Sequence, residues 1–395
     1  MRRLSLHHAI GSGAFGTVYA AELAGDRGMR RKVAVKVISG QHGSQREDFV
    51  KRVRDEARLL GLLQDESILA VLDLLEVDGR DCVVMEWVDG VDLSKLVAAG
   101  WRMPPRALAT FGATVAGALH KAHTACHPDT GESLAVVHRD VKPANIMLTA
   151  RGHIKLLDFG VARAAFDARE ARTGRMILGT LLYMAPEYIL RGLLTPAVDI
   201  YGLGLTLGEA AIGAAFGKPS LDQDKMAERL EAWLGRLPPE YNSMRVALDH
   251  MLAWEPEQRP DGARCEQILL ELADGSSGTG LQRWCAKVVP SVQGQAAEDS
   301  EGLAGKTFDL GSEPLPAAPL APPPAPEFDR TVGLPPPKPA GEPLPPAVED
   351  EPTRFERQQP AADSTLAMVL KGLALGAGIG LLGLSLLVAI LWYFR

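Results

Sequence analysis

The chain has 395 residues, a formal net charge of -7, 46% hydrophobic residues and 23% charged ones. That length suits roughly two or three domains, the composition is that of an ordinary globular protein, and the acidic balance argues against a nucleic-acid partner. The four cysteines, Cys82, Cys126, Cys265 and Cys285, lie far apart with no metal-ligand spacing and read as reduced cytosolic thiols, while "MRRLSLHHAIGSG" lacks the apolar run of a secretory signal.

Taken in order, the first elements read as strands over residues 2–11, 17–23 and 32–39, each bounded by Gly, Asp or Arg-rich turns. A helical pattern follows in "REDFVKRVRDEARLLGLL", where Phe49, Val53, Ala57 and Leu60 recur at helical spacing. Beyond residue 90 the reading is mainly helical, over 104–124, 196–213, 224–233, 241–252 and 262–272, with one more short helix over 280–290. A small strand-rich half followed by a larger helical half is an α+β plan.

Chemistry is concentrated in four stretches. "IGSGAFGTVYAA" spaces Gly11, Gly13 and Gly16 as GxGxxG, and the strand pattern after it places the glycines in a hairpin rather than at a helix start. Without side chains there, backbone N–H groups can approach phosphate oxygens closely. "KVAVKVIS" sets Lys36 among apolar strand neighbours, where its charge is costly unless used, and Glu56 on the next helix offers it a partner. In "HRDVKPANIML", Asp140 can accept a hydroxyl proton, Lys142 can neutralise a moving phosphoryl group, and Asn145 can give an oxygen to a metal. "LLDFGVAR" adds Asp158, and a carboxylate with an amide oxygen is the hard, incomplete ligand set that Mg²⁺ accepts.

With "GTLLYMAPE" downstream, the stretch from about Leu4 to Leu272 resembles the eukaryotic-type (Hanks-type) protein kinases in their bacterial Ser/Thr form. The resemblance implies a bilobal kinase fold using ATP and Mg²⁺, or Mn²⁺ in its place, with protein substrates. It implies that Gly11, Gly13 and Gly16 cover the ATP phosphates and that Lys36 holds them while paired with Glu56. Asp140 is then the catalytic base, Lys142 a γ-phosphate contact, and Asn145 and Asp158 the metal ligands. Val18, Ala34 and Met147 are expected to sandwich the adenine, with Met85 as gatekeeper and the backbone of Glu86 and Val88 at the adenine edge. Glu187 is expected to pair with Arg259, and Asp199 to brace the catalytic loop. Lys142 after the base and Gly179-Thr180 before "LLYMAPE" imply Ser/Thr acceptors. Thr180 would help form the substrate site, and Thr173 is the candidate for activating autophosphorylation beside Arg139. A longer link, "HTACHPDTGESLAVVHRD", departs from the usual pattern, and His123 and His127 in it read as loop histidines.

The domain reading is therefore a kinase domain over 1–275, a short helical flank over 276–294, a linker over 295–365 and a membrane helix over 366–394. The linker holds sixteen of the 28 prolines, with thirteen acids against five bases over residues 295–364, so it is expected extended and without a packed core. Its threonines Thr307, Thr331 and Thr353 read as exposed acceptors for partners that bind phosphothreonine. Residues 372–394 carry no charge over 23 positions, about 35 Å of helix and enough to cross a bilayer core. With only Arg395 beyond it, the segment reads as a tail anchor in the inner (plasma) membrane, the kinase domain in the cytoplasm. Gly372, Gly376 and Gly380 at four-residue spacing suit helix–helix dimerisation. The rival readings are a pseudokinase scaffold working through its linker and a small-molecule phosphotransferase of kinase-like fold.

Overall fold

The computed structural model describes residues 2–13, 16–25, 28–38, 59–63, 65–159, 181–293 and 303–310. All of these lie in one compact unit, Met1–Pro322; the second unit, Pro323–Arg395, lies outside the described residues, and with it the expected anchor, Thr331 and Thr353. Among the described residues no helix is long and apolar enough to cross a membrane.

The N-terminal half is an antiparallel sheet. β1 (Arg2–Gly13), β2 (Gly16–Ala24) and β3 (Arg30–Ile38) match the three expected strands within two residues at either end. β4 (Val71–Val77) and β5 (Arg80–Glu86) form a tight hairpin, with Asp78 and Gly79 both at positive φ in its turn. The β2 and β3 side chains of Tyr19, Ala21, Leu23, Val33, Val35 and Val37 are buried in one cluster, with Leu4 and Leu6 of β1 and Val84 of β5. Ala34, Ile38, Val83 and Met85 form a second cluster, with Ile10, Val18 and Trp87 packed partly buried against it. This alternation across β3 is what a strand buried on both faces requires.

The C-terminal half begins with β6 (Gly90–Asp92) and α1 (Leu93–Ala98), the helix capped by Asp92, which accepts the Lys95 N–H at 3.0 Å. α2 (Pro105–His123) buries Leu108, Phe111, Val115 and Leu119, a stripe at helical spacing. A three-stranded sheet of β6, β7 (Ile146–Thr149) and β8 (Ile154–Leu156) lies at the front of this half. α3 (Pro186–Arg191) leads to α4 (Ala197–Ile212), which is buried along almost its whole length and so reads as a continuous apolar run. α5 (Gln223–Leu234) reaches it through Trp233 at Gly208, α6 (Asn242–Met251) packs on it, and α7 (Gly262–Gly275) packs on α2. At Gly262 a Cβ would come within 2.8 Å of the His120 Cβ, so glycine is what lets α7 lie against α2.

Two features extend this frame. The short flank is α8 (Leu281–Val292), which buries Leu281, Trp284, Cys285, Val288, Val289 and Val292. The second feature corrects the domain reading. Composition assigns residues 295–365 to an extended linker, but Thr307–Leu310 form β9, an antiparallel strand on the outer edge of β1, giving the sheet order β4-β5-β3-β2-β1-β9. Leu303 is 3% exposed within the N-terminal core, and Phe308 and Leu310 pack on it. The physical reason is local. The alternation in "TFDL" fits a half-buried strand, and the β1 edge offers unpaired backbone groups that are costly to leave partly buried. Thr307 is thus an exposed residue of a sheet, its hydroxyl 3.1 Å from that of Ser5.

Candidate active site

The glycine-rich stretch is a hairpin, as its sequence implies. β1 pairs with β2 through Gly11↔Val18 and Gly13↔Gly16, the strand–turn–strand arrangement that separates it from dinucleotide folds. Gly16 sits at φ 144°, and a Cβ there would lie 2.1 Å from the Val37 carbonyl oxygen, so no other residue fits against β3. Val18 and Ala34 lie in the apolar cluster that contains Met85, below this hairpin. Met147, half-buried on β7, belongs to the other half.

Lys36 projects from β3 and its Nζ lies 2.6 Å from Asp158 Oδ1. The lysine side chain is 14% exposed and the carboxylate 45%, so the pair is open to solvent on the Asp158 side rather than sealed in the core. Glu56, the partner expected from sequence, lies outside the described residues, as do Thr173 and Thr180. Asp158 itself adopts φ 50°, and Arg139 φ 67°, two non-glycine residues in the left-handed region within the same site. Such conformations persist only where surrounding bonds enforce them, and they concentrate at functional sites.

Those enforcing bonds can be named. Asp140 Oδ2 accepts from Lys142 Nζ at 2.7 Å and from Asn145 Nδ2 at 2.9 Å. Asn145 Nδ2 also reaches the Asp140 carbonyl at 2.8 Å, which turns the amide oxygen away from that carboxylate. His138, fully buried, receives the Asp140 N–H on Nδ1 at 3.2 Å and bonds the Leu157 carbonyl through Nε2 at 2.8 Å. With Nδ1 accepting, the ring is the neutral Nε2–H tautomer, and burial pushes its pKa below the ordinary 6.5. Its ring packs against Phe159, tilted by 44° with centroids 4.5 Å apart, which ties the loop of Asp140 to the loop of Asp158. The Leu157 N–H donates to the Asn145 carbonyl at 2.8 Å and closes the same link.

Beneath this lies Asp199 of α4. Its carboxylate accepts the His138 and Arg139 backbone N–H groups, both at 2.7 Å, and bonds His123 Nε2 at 2.8 Å. His123 is therefore not a loop histidine. It is the last residue of α2, its side chain is 5% exposed, and it completes the bonding of a fully buried carboxylate. His127 does lie in the longer link, which closes on itself through a Cys126↔Ser133 bridge. Among the described residues no cluster of three or more His, Cys, Asp or Glu could hold a metal. Asn145 and Asp158 still fit Mg²⁺, since one carboxylate and one amide oxygen leave its other positions to phosphate and water.

Further out, Glu187 and Arg259 form a two-bond pair at 2.7 and 2.8 Å, each side chain wholly buried. Arg259 also donates to the carbonyls of Ala253, Ala197 and Trp254, so its five N–H groups make five bonds. Tyr183 donates to Glu209, whose carboxyl is pushed upward chiefly by burial. On the connection between the halves, the Glu86 carboxylate accepts the Ala70 N–H at 2.8 Å and Lys155 Nζ at 2.6 Å. That brace was not read from sequence. Lys155 stands in a short strand 69 residues away, and only the packed fold joins them.

The sequence pattern of the protein kinase domain matches residues 4–270. The chain belongs to the protein kinase family. It is 34% identical over 275 residues to a probable serine/threonine-protein kinase of Bifidobacterium longum, pknA2, covering 67% of this chain and 34% of that protein. It is 35% identical over 249 residues to the serine/threonine-protein kinase PknD of Mycobacterium tuberculosis, covering 62% of this chain and 35% of that one. The chain thus matches about a third of the length of these curated relatives. Among solved structures, the PknI kinase domain of Mycobacterium tuberculosis superposes with a TM-score of 0.52 at 26% identity, covering 68% of this chain and 96% of that domain.

Proposed function

We propose that the protein is a Ser/Thr protein kinase that moves the γ-phosphoryl group of ATP to hydroxyls of protein substrates. The observation that supports this most is the Asp140 carboxylate, held in one orientation by Lys142 and Asn145 beside the Lys36–Asp158 pair. Asp140 orients the acceptor hydroxyl and takes its proton. Lys142, already 2.7 Å from that carboxylate, stands where it can meet charge developing on the transferred group. Lys36 holds nucleotide phosphates from the roof of the cleft, and the glycine hairpin closes over them. Asn145 and Asp158 would hold Mg²⁺, which when bound would neutralise phosphate charge. Positioning and electrostatics supply the rate, because little covalent work falls to the protein. The buried Glu187–Arg259 frame under the segment that ends in "APE" favours a protein over a metabolite as acceptor.

In this reading Thr173 is the site of activating autophosphorylation, and Thr331 and Thr353 are linker acceptors for phosphothreonine-binding partners. Residues 372–394 anchor the chain in the inner membrane with the kinase domain in the cytoplasm, and their glycines support a dimer. A panel of basic proteins and small hydroxylated metabolites, incubated with the full chain and Mg²⁺-ATP, tests the substrate class. Label on protein Ser and Thr alone is expected. Label on metabolites alone would overturn it.

A further inference from the structure

The chain beyond α7 is fastened at two places. α8 is held by the Trp284 indole N–H on the Arg102 carbonyl at 3.2 Å, and just after it Gln293 Nε2 reaches Asp89 Oδ1 at 2.7 Å, beside the connection between the halves. Ten positions later Leu303 is buried in the N-terminal core, its N–H on the Tyr19 hydroxyl at 3.2 Å. The Gly305 N–H donates to the Leu6 carbonyl and the Leu6 N–H to the Lys306 carbonyl, both at 2.9 Å. β9 then pairs from Ser5↔Thr307 to Arg2↔Leu310.

The place of this attachment is informative. β1 shifts register between Leu6 and Ala9 and again between Ala9 and Gly11, where the hairpin bends toward its glycines. The tail grips β1 up to the first shift and β2 at Tyr19, which pairs with Ala9 inside the bend. It therefore fixes both strands at the root of the glycine hairpin. The grip is also modest. β9 has four residues, the tail has one buried anchor in Leu303, and the ion pair Arg3–Asp309 is 60% and 53% exposed. Exposed pairs contribute little, and short edge strands open well below the cost of global unfolding.

We propose that Leu303–Leu310 is a docked tail strand that positions the glycine hairpin, so that its attachment sets the affinity for ATP. Leu303 and Phe308 are then positioning residues, and the sequence after Leu310 gains a mechanical route to the nucleotide site. This rests on the kinase reading above for the identity of the nucleotide.

The test uses the full chain as wild type, Leu303→Asp, which charges the buried anchor, and Asp309→Lys, which sets two cations opposite each other on the exposed face. Hydrogen exchange at the Leu6 and Gly305 amides reports docking. Titration calorimetry with Mg²⁺-ATP reports affinity without needing turnover. Leu303→Asp is expected to exchange these amides faster and to bind ATP roughly fivefold or more weakly, and Asp309→Lys, with two cations opposite each other, to move both in the same direction by less, with kcat at saturating ATP within about twofold in each. A synthetic peptide of residues 301–312 is expected to restore affinity to Leu303→Asp. Should Leu303→Asp fail to fold, Asp309→Lys decides alone. Fast Leu6 exchange in the wild type, or wild-type ATP affinity in an undocked variant, would overturn the proposal. A wild type whose ATP affinity depends on the strand but which transfers no phosphate would instead refute the kinase reading.

Discussion

The Glu187–Arg259 pair joins the segment after the activation region to the loop before α7, and breaking it should be costly in a specific way. Both side chains have 0% relative exposure. Glu187→Leu keeps much of the volume but leaves a buried guanidinium without its counter-charge. Removing one member of a buried pair costs about 3–5 kcal/mol. Arg259→Met should fall at the upper end, because it also strips donors from the Ala253, Ala197 and Trp254 carbonyls. For a domain of this size the loss corresponds to a fall in Tm of roughly 6–20 °C, at about 2–4 °C per kcal/mol. Replacing both residues, Glu187→Leu with Arg259→Met, leaves no orphaned charge. The double variant should therefore lose less than the sum of the singles, by up to about 3 kcal/mol. Thermal unfolding of the four proteins, with denaturant midpoints as a second measure, completes the cycle. Single variants that cost under about 1 kcal/mol, or singles that add to the double within about 0.5 kcal/mol, would refute the reasoning.

His123→Ala should cost about 1–3 kcal/mol by leaving the Asp199 carboxylate short of a partner, and should lower kcat more than it raises KM for ATP; an unchanged kcat would show that Asp199 holds the catalytic loop without it. His138 is buried neutral, so its folded pKa lies below the unfolded 6.5. Its contribution is complete above about pH 6.5 and is lost as pH falls, at up to about 1.4 kcal/mol per unit; His138→Phe should flatten stability between pH 5 and 7. Burial raises the thiols of Cys82, Cys265 and Cys285 to about 12, while Cys126 is exposed. Native alkylation at pH 8 should therefore modify Cys126 first, and rapid loss of all four thiols would contradict the packing.

Much of the site was legible because its residues carry chemistry within short stretches. Asp140, Lys142 and Asn145 fall within six positions, and the structure joins them by direct bonds. The strands around Lys36 were legible because β-branched residues recur through them. What sequence did not show depends on distance or on context. His123 stands beside a polar insertion, and only the packing of α2 on α4 across 76 residues gives it Asp199. β9 is masked by its surroundings, since four alternating residues count for little amid prolines and acids. Its signal was Leu303 with the "TFDL" alternation, but the β1 edge that receives it lies 302 to 308 residues earlier. The Lys36–Asp158 contact joins two motifs that the sequence reading assigned to separate tasks.

Asp140 is the residue on which the proposed phosphoryl transfer depends most directly. The decisive measurement compares the full chain with Asp140→Asn, using Mg²⁺-ATP and mass-spectrometric mapping of phosphate on the chain and on a basic protein acceptor, with ATP affinity measured alongside. Phosphate on Ser and Thr from the wild type, its loss by a factor on the order of 100 or more in the variant, and equal ATP affinity in both are the expected results. ATP binding with no transfer by the wild type, or undiminished transfer by Asp140→Asn, would contradict it.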